Sequence, residues 1–228
     1  MIVVHHLENS RSLRILWMLE ELGLDYKLEQ YARDPKTLMA PAALRRIHAL
    51  GKAPILQDGD RVLAESGAIL DYLADQYDSQ HQLSPPATPA SADERLDYRY
   101  WLHYAEGSAM PPLLLTLVIG RIRIAPMPFF AKPIARAIAD KMEAGFVGPQ
   151  RTLHLDWMEQ RLAGSVWFAG DRFTAADIQM SFPLQAAAGR GDGLGDRPAL
   201  AAFLQRIQRR PAYQRAVARG GALKPVGG

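Results

Sequence analysis

The chain of 228 residues contains no cysteine. Disulfide cross-links, zinc–thiolate centres and any protein thiol acting as a nucleophile are thereby excluded. Such a composition is compatible with a reducing compartment without requiring one. Charge of one sign is also scarce. With 27 basic and 24 acidic side chains the formal net charge is +3, too mild an excess to demand a nucleic-acid partner. No apolar run reaches the roughly 20 residues of a membrane-spanning helix. The longest, Pro111 to Gly120, reads as a buried helix segment. The first residues, Met-Ile-Val-Val-His-His, have neither a basic leader nor a cleavable apolar core, so a cytoplasmic location is the expectation. A hydrophobic fraction of 48% is ordinary for a folded protein, and the length allows one large domain or two small ones.

What is present divides the chain at one place. Ile2 to Leu7 is a short β-branched run expected to form a strand. From Leu13 to Leu22 the apolar residues follow helical spacing, and Gly23 supplies a stop. Asp25 to Tyr31 alternates as a second strand, and Lys36 to Leu50 predicts a helix or irregular turns. Pro54 to Gln57 and Arg61 to Ala64 flank Asp58-Gly59-Asp60, a hairpin signal. Ser66 to Tyr77 returns to helical spacing. A linker rich in proline and small residues then runs from Ser84 to Ala92. Beyond it every periodic segment is helical: 93–120, 130–162, 175–188, 197–209 and 213–219. The expectation is a small α/β domain over 1–83, a linker over 84–92 and an all-α domain over 93–228.

Three local patterns could carry chemistry. Asn9, Ser10 and Ser12 crowd the start of the first helix, where they can serve as caps or face a ligand. In Gly51-Lys52-Ala53-Pro54 a proline stands at the entry to a strand, where its missing N–H costs no ladder bond. A cis Ala53–Pro54 bond there would turn the backbone of Ala53 toward a strand-like ligand; an edge-strand proline is the plainer reading. Glu65-Ser66 falls where a strand gives way to a helix. Free N–H groups and the positive end of the helix dipole favour a bound carboxylate at such a place, and Glu65 is suited to pair with an ammonium group. Together the two residues could cradle the head of an α-amino acid.

These motifs, in this order, resemble the cytosolic glutathione transferases, and the resemblance covers essentially the whole chain. The Phe173-Thr174-Ala175-Ala176-Asp177-Ile178 segment adds a third marker, with Thr174 and Asp177 forming a capping box. The Asn-Ser-Arg-Ser start of the first helix and the Tyr98-to-Tyr104 helix look most like a bacterial and fungal subgroup. The resemblance implies a thioredoxin-like N-terminal domain followed by an all-α domain. It further implies that the backbone of Ala53 pairs with the cysteinyl part of glutathione and that Pro54 is cis. Glu65 would take the γ-glutamyl amine, Ser66 its carboxylate and Lys52 the glycyl carboxylate. For the thiol, whose free pKa is about 8.5, a donor at a helix N-terminus is needed, and Ser10, then Asn9, then Ser12 are the candidates. Trp101, Tyr104, Met110 and Leu114 would line a groove for the hydrophobic substrate, although an aromatic stripe at helical spacing is more often core.

The expected activity is transfer of glutathione to a small hydrophobic electrophile, or reduction of a peroxide, by a homodimer. Glutathione would be a co-substrate, with no metal and no tightly bound cofactor. The alternative is a non-catalytic binding or scaffold protein on the same fold. Neighbouring side chains of a strand point to opposite faces, so His5 and His6 do not suit a shared metal ion. The arginines from Arg206 to Arg219 read as a solvated helix face, with neither nucleic acid nor membrane as a partner.

Overall fold

The computed structural model describes residues 1–35, 37–189 and 193–224. Its sheet has four strands: β1 (Ile2–Leu7), β2 (Tyr26–Tyr31), β3 (Ile55–Asp58) and β4 (Arg61–Ala64), in the spatial order β2-β1-β3-β4. β1 and β2 run parallel, an arrangement that needs a crossover connection, whereas β3 is antiparallel to both β1 and β4. Helix α1 (Leu13–Leu22) makes the crossover and ends with Gly23 in the left-handed region. The segment expected to hold a helix or turns between Lys36 and Leu50 contains one short 3-10 turn, Ala42–Arg46; Lys36 itself lies outside the described residues. Helix α2 (Ser66–Tyr77) follows β4.

The rest is helical: α3 (Ala92–Tyr104), α4 (Met110–Ile124), α5 (Lys132–Met142), α6 (Gly148–Ala163), α7 (Ala175–Ala188), α8 (Pro198–Gln208) and α9 (Pro211–Gly220). Two π-turns, Ala105–Ala109 and Glu143–Val147, join α3 to α4 and α5 to α6 without breaking either long helix. Helix α7 is the central one. Both arms of the Thr174/Asp177 capping box are formed at its start, and the Asp177 carboxylate also accepts from the backbone N–H of Phe168 at 2.8 Å.

Residues 13 to 19 of α1 are buried on every side, because α7 and α9 pack over the face that the sheet leaves uncovered. The arginines read as a solvated face are largely engaged there. Arg210 pairs with Glu21 at 2.6 Å, while Arg215 and Arg219 both reach Glu20. One expectation needs correcting. The run Pro111 to Gly120 is not a buried segment, since Leu114 is 54% and Val118 46% exposed. Its apolar residues surround the helix axis, but only one side faces the protein interior.

Candidate functional site

A cleft of about 330 Å³ opens where the two halves of the chain meet. Lys52, Ala53, Pro54, Glu65 and Ser66 all line it, so all five residues assigned to glutathione meet in one place. The Ala53–Pro54 bond is cis, immediately before β3. Glu65 has a φ of 71°, an uncommon value for a residue with a Cβ, and it leads into α2 with its side chain exposed. Ser66, the first residue of α2, is buried with its hydroxyl at the back of the cleft. A carboxylate and an ammonium thus stand at the rim, with a hydroxyl deeper in.

Side chains outside those sequence candidates complete the wall, notably Arg11, His48 and Glu106. Glu106 lies in the π-turn between α3 and α4, and it accepts from Arg11 Nε at 2.8 and 3.0 Å and from Arg14 Nη2 at 2.6 Å. Burial acts to raise the Glu106 pKa, but the two guanidinium groups outweigh it and hold the carboxylate below its ordinary value. Arg14 is only 2% exposed, and burial lowers its pKa to about 10 against the opposing pull of Glu106. One signal for Arg14 was readable: a cation within Leu13 to Leu19, where every other side chain is apolar. Glu106 offered none, because its partners come from another domain.

The serines at the start of α1 turn away from this cleft. Ser10 Oγ donates to the carbonyl of Leu7 at 2.7 Å and lies 2.7 Å from Ser12 Oγ, which lies 2.9 Å from His6 Nδ1. His6 Nε2 is 2.8 Å from the carbonyl of Gly220, which can only accept. The ring proton is therefore assigned to Nε2, and Nδ1 accepts from Ser12. Both hydroxyls belong to a buried chain, and neither lines the cleft. Asn9 has a φ of 47°, and its Oδ1 accepts from the backbone N–H of Lys224 at 3.0 Å. It lines a second cavity of about 370 Å³, whose walls include Phe182, Leu204, Tyr213 and Leu223. Phe182 stands between the two spaces, with the Arg11 guanidinium 4.8 Å from its ring centre.

Of the four residues considered for the hydrophobic groove, only Leu114 lines the cleft. Trp101 packs at 4.7 Å from Phe168 in the core, Tyr104 is hydrogen-bonded to His154 at 2.6 Å, and Met110 is buried. His5 and His6 do not converge: His5 bonds Tyr31 and Gln57, whereas His6 bonds Ser12 and Gly220.

Known proteins share this architecture. A family model described as the glutathione S-transferase N-terminal domain matches residues 10–76. A second, the glutathione S-transferase C-terminal domain, matches residues 127–211. Glutathione S-transferase 1 of Saccharomyces cerevisiae is 34% identical over 97% of this chain and 96% of its own. Glutathione S-transferase 3 of Schizosaccharomyces pombe is 38% identical over 87% of this chain and 78% of its own. A glutathione S-transferase structure from Actinobacillus pleuropneumoniae superimposes with a TM-score of 0.77 at 34% identity, covering 98% of this chain and 94% of that one. The chain belongs to the glutathione S-transferase family, with that family's thioredoxin-like N-terminal and all-helical C-terminal parts.

Proposed function

We propose that this protein binds glutathione in the cleft, stabilises its thiolate and transfers it to a hydrophobic electrophile. The observation that carries this reading is the meeting of Lys52, Ala53, Pro54, Glu65 and Ser66 on one cleft. In this reading Glu65 holds the γ-glutamyl ammonium, Ser66 the α-carboxylate and Lys52 the glycyl carboxylate, while the Ala53 backbone pairs with the cysteinyl unit. Residues 1–83 then form the glutathione-binding domain, 84–92 the linker and 93–228 the domain that receives the electrophile. Glutathione is a co-substrate, and the reaction needs no metal or resident cofactor. The second cavity, with Phe182, Leu204 and Leu223 in its wall, suits the apolar partner.

For the thiol, the hydrogen-bonding pattern favours Asn9 over Ser10 and Ser12. Both serine hydroxyls are committed to the buried chain. Asn9, on the adjoining cavity rather than the cleft itself, carries its amide N–H₂ near the positive end of α1. This reading therefore places the thiol where the two spaces approach each other. A donor there stabilises the thiolate and so lowers its pKa. Asn9→Ala is expected to raise the apparent thiol pKa of bound glutathione, read by thiolate absorbance, by about one unit. Ser10→Ala is expected to leave it within a few tenths while lowering stability. The opposite order would return the role to Ser10. For the reading as a whole, retention of the folded chain on immobilised glutathione is the direct test. Absence of retention, with normal circular dichroism, would favour a non-catalytic protein on the same fold.

We propose further that the chain forms a homodimer. The support is an unusual amount of exposed apolar surface on the long helices. Leu96, Tyr100, Leu114 and Val118 lie along α3 and α4, and a row on and around α5 adds to them.

A further inference from the structure

Arg14 touches no part of the cleft surface, yet it bonds the one hydroxyl at its back. Its Nη1 donates to the carbonyl of Gln179 at 2.8 Å, and its Nη2 donates to Ser66 Oγ at 2.7 Å and to Glu106 at 2.6 Å. Gln179 Nε2 lies 3.3 Å from the same Ser66 oxygen. A hydroxyl offers two lone pairs and one proton, and a guanidinium has no acceptor at all. The bond from Arg14 can therefore run only toward Ser66, and the amide N–H₂ of Gln179 takes the second lone pair. With the Gln179 amide assigned so that Nε2 faces Ser66, its Oε1 is buried without a partner and takes no part. The direction left for the Ser66 proton is then the cleft; the amide turned over would accept that proton instead. The electrostatics point the same way, because Arg11 and Arg14 share the single carboxylate of Glu106. One positive charge is left uncompensated behind the hydroxyl.

We infer that Arg14, aided by Gln179, is a positioning residue that makes Ser66 an obligatory hydrogen-bond donor, so that this end of the cleft selects a carboxylate over a neutral amide. A charge-assisted bond is roughly twice as strong as a neutral one, and both the donor orientation and the residual positive charge reward the anion. The inference rests on the reading of the cleft as a glutathione site. It adds the reason why that site would accept the α-carboxylate and reject its amide. Arg14 does this without contacting the ligand, and the buried fork geometry explains why lysine cannot replace it: an ammonium would carry the charge but could not reach Gln179, Ser66 and Glu106 together.

The test is calorimetric titration of the full chain with glutathione and with a synthetic glutathione whose γ-glutamyl α-carboxylate is a primary amide. The native chain is expected to prefer the carboxylate by roughly tenfold or more, as a charge-assisted bond implies. Ser66→Ala and Arg14→Lys should each remove most of that preference, and combining them should remove little more. In turnover, Arg14→Lys should raise the KM for glutathione several-fold and leave kcat at saturation nearly unchanged. Gln179→Leu is the gentler arm, which decides the matter if Arg14 variants do not fold; it should weaken the preference about threefold, the share of one weak neutral bond. Equal loss of both ligands in Arg14→Lys, or additive effects with Ser66→Ala, would show a role in packing alone and overturn the inference. So would a stronger preference in Gln179→Leu, since that would mean the amide had been accepting the hydroxyl proton. If the native chain binds neither ligand, the glutathione reading fails and takes this one with it. If it binds glutathione while the variants keep full discrimination, only the role of Arg14 and Gln179 fails.

Discussion

His6 is held neutral by its surroundings. Burial lowers its pKa below the ordinary 6.5, although the carbonyl of Gly220 and the charge of Glu8 work the other way. The unfolded chain therefore takes up a proton near pH 6.5, where the folded chain still resists it. The His6 contribution to stability is complete above that pH and declines as pH falls through and below it, by about 1.4 kcal/mol for each unit of depression. Burial raises the Asp177 carboxyl to about 7, which favours the folded chain as pH falls, so the His6 share is read as a difference. Between pH 8 and pH 5 the denaturant midpoint of His6→Gln should fall less, or rise more, than that of the native chain. The same residue explains what could be read at the start of α1 and what could not. That Asn9, Ser10 and Ser12 lie at a helix entrance was legible, because caps are local. Which of them is drawn into the buried chain was not, because the serine hydroxyls are aimed by His6, and His6 is aimed by a carbonyl 214 positions away. That Lys52 to Pro54 and Glu65-Ser66 would come together was easier to read, since each run of neighbours sits on a single strand end or helix start.

At the scale of elements, α9 is fitted closely to the first domain. A Cβ built on Gly220 would lie 2.5 Å from Leu16 Cδ1 and 3.0 Å from His6 Cε1, both buried. Gly220→Ala should therefore cost about 1–3 kcal/mol through overpacking, measured as a lowered urea midpoint with an unchanged slope. An equal loss in a Gly120→Ala control, where nothing lies within 4 Å, would remove that explanation. The existence and order of the helices were visible in their apolar spacing, and α7 was readable to the residue because its capping box marks the start. The inward or outward sense of the aromatic stripe was not. Trp101 and Tyr104 recur at the spacing of any buried face, and only the arrival of His154 from α6 and Phe168 from the loop after it decides that they are core. The π-turns were equally hidden, because the chain stays helical on both sides of each.

For the whole molecule, the contacts that fasten the two halves include Arg210, Arg215 and Arg219 on Glu20 and Glu21, Arg11 and Arg14 on Glu106, Arg14 on Gln179, and His6 on Gly220. One apolar row remains uncovered. Phe130, Ile134, Ile138, Met142 and Phe146 recur every four residues on the outer side of α5 and its flanks, and each is exposed. Light scattering is expected to report a dimer, and Ile138→Asp together with Tyr100→Asp should shift it toward monomer by at least tenfold in dissociation constant, as buried charge at an apolar contact requires. A monomer at all concentrations would overturn the dimer proposal. The π-turn at Ala105–Ala109 has a consequence for comparing relatives. Five residues in this wider turn cover about the rotation that four cover in an α-helix at about 100° each, so the turn takes up one extra residue while α3 and α4 keep their relative phase. A related chain with one residue fewer there would run straight from α3 into α4 and keep the counterpart of Leu114 on the same side. A one-residue gap within residues 105–109 is therefore where such a relative is aligned without loss of the cleft.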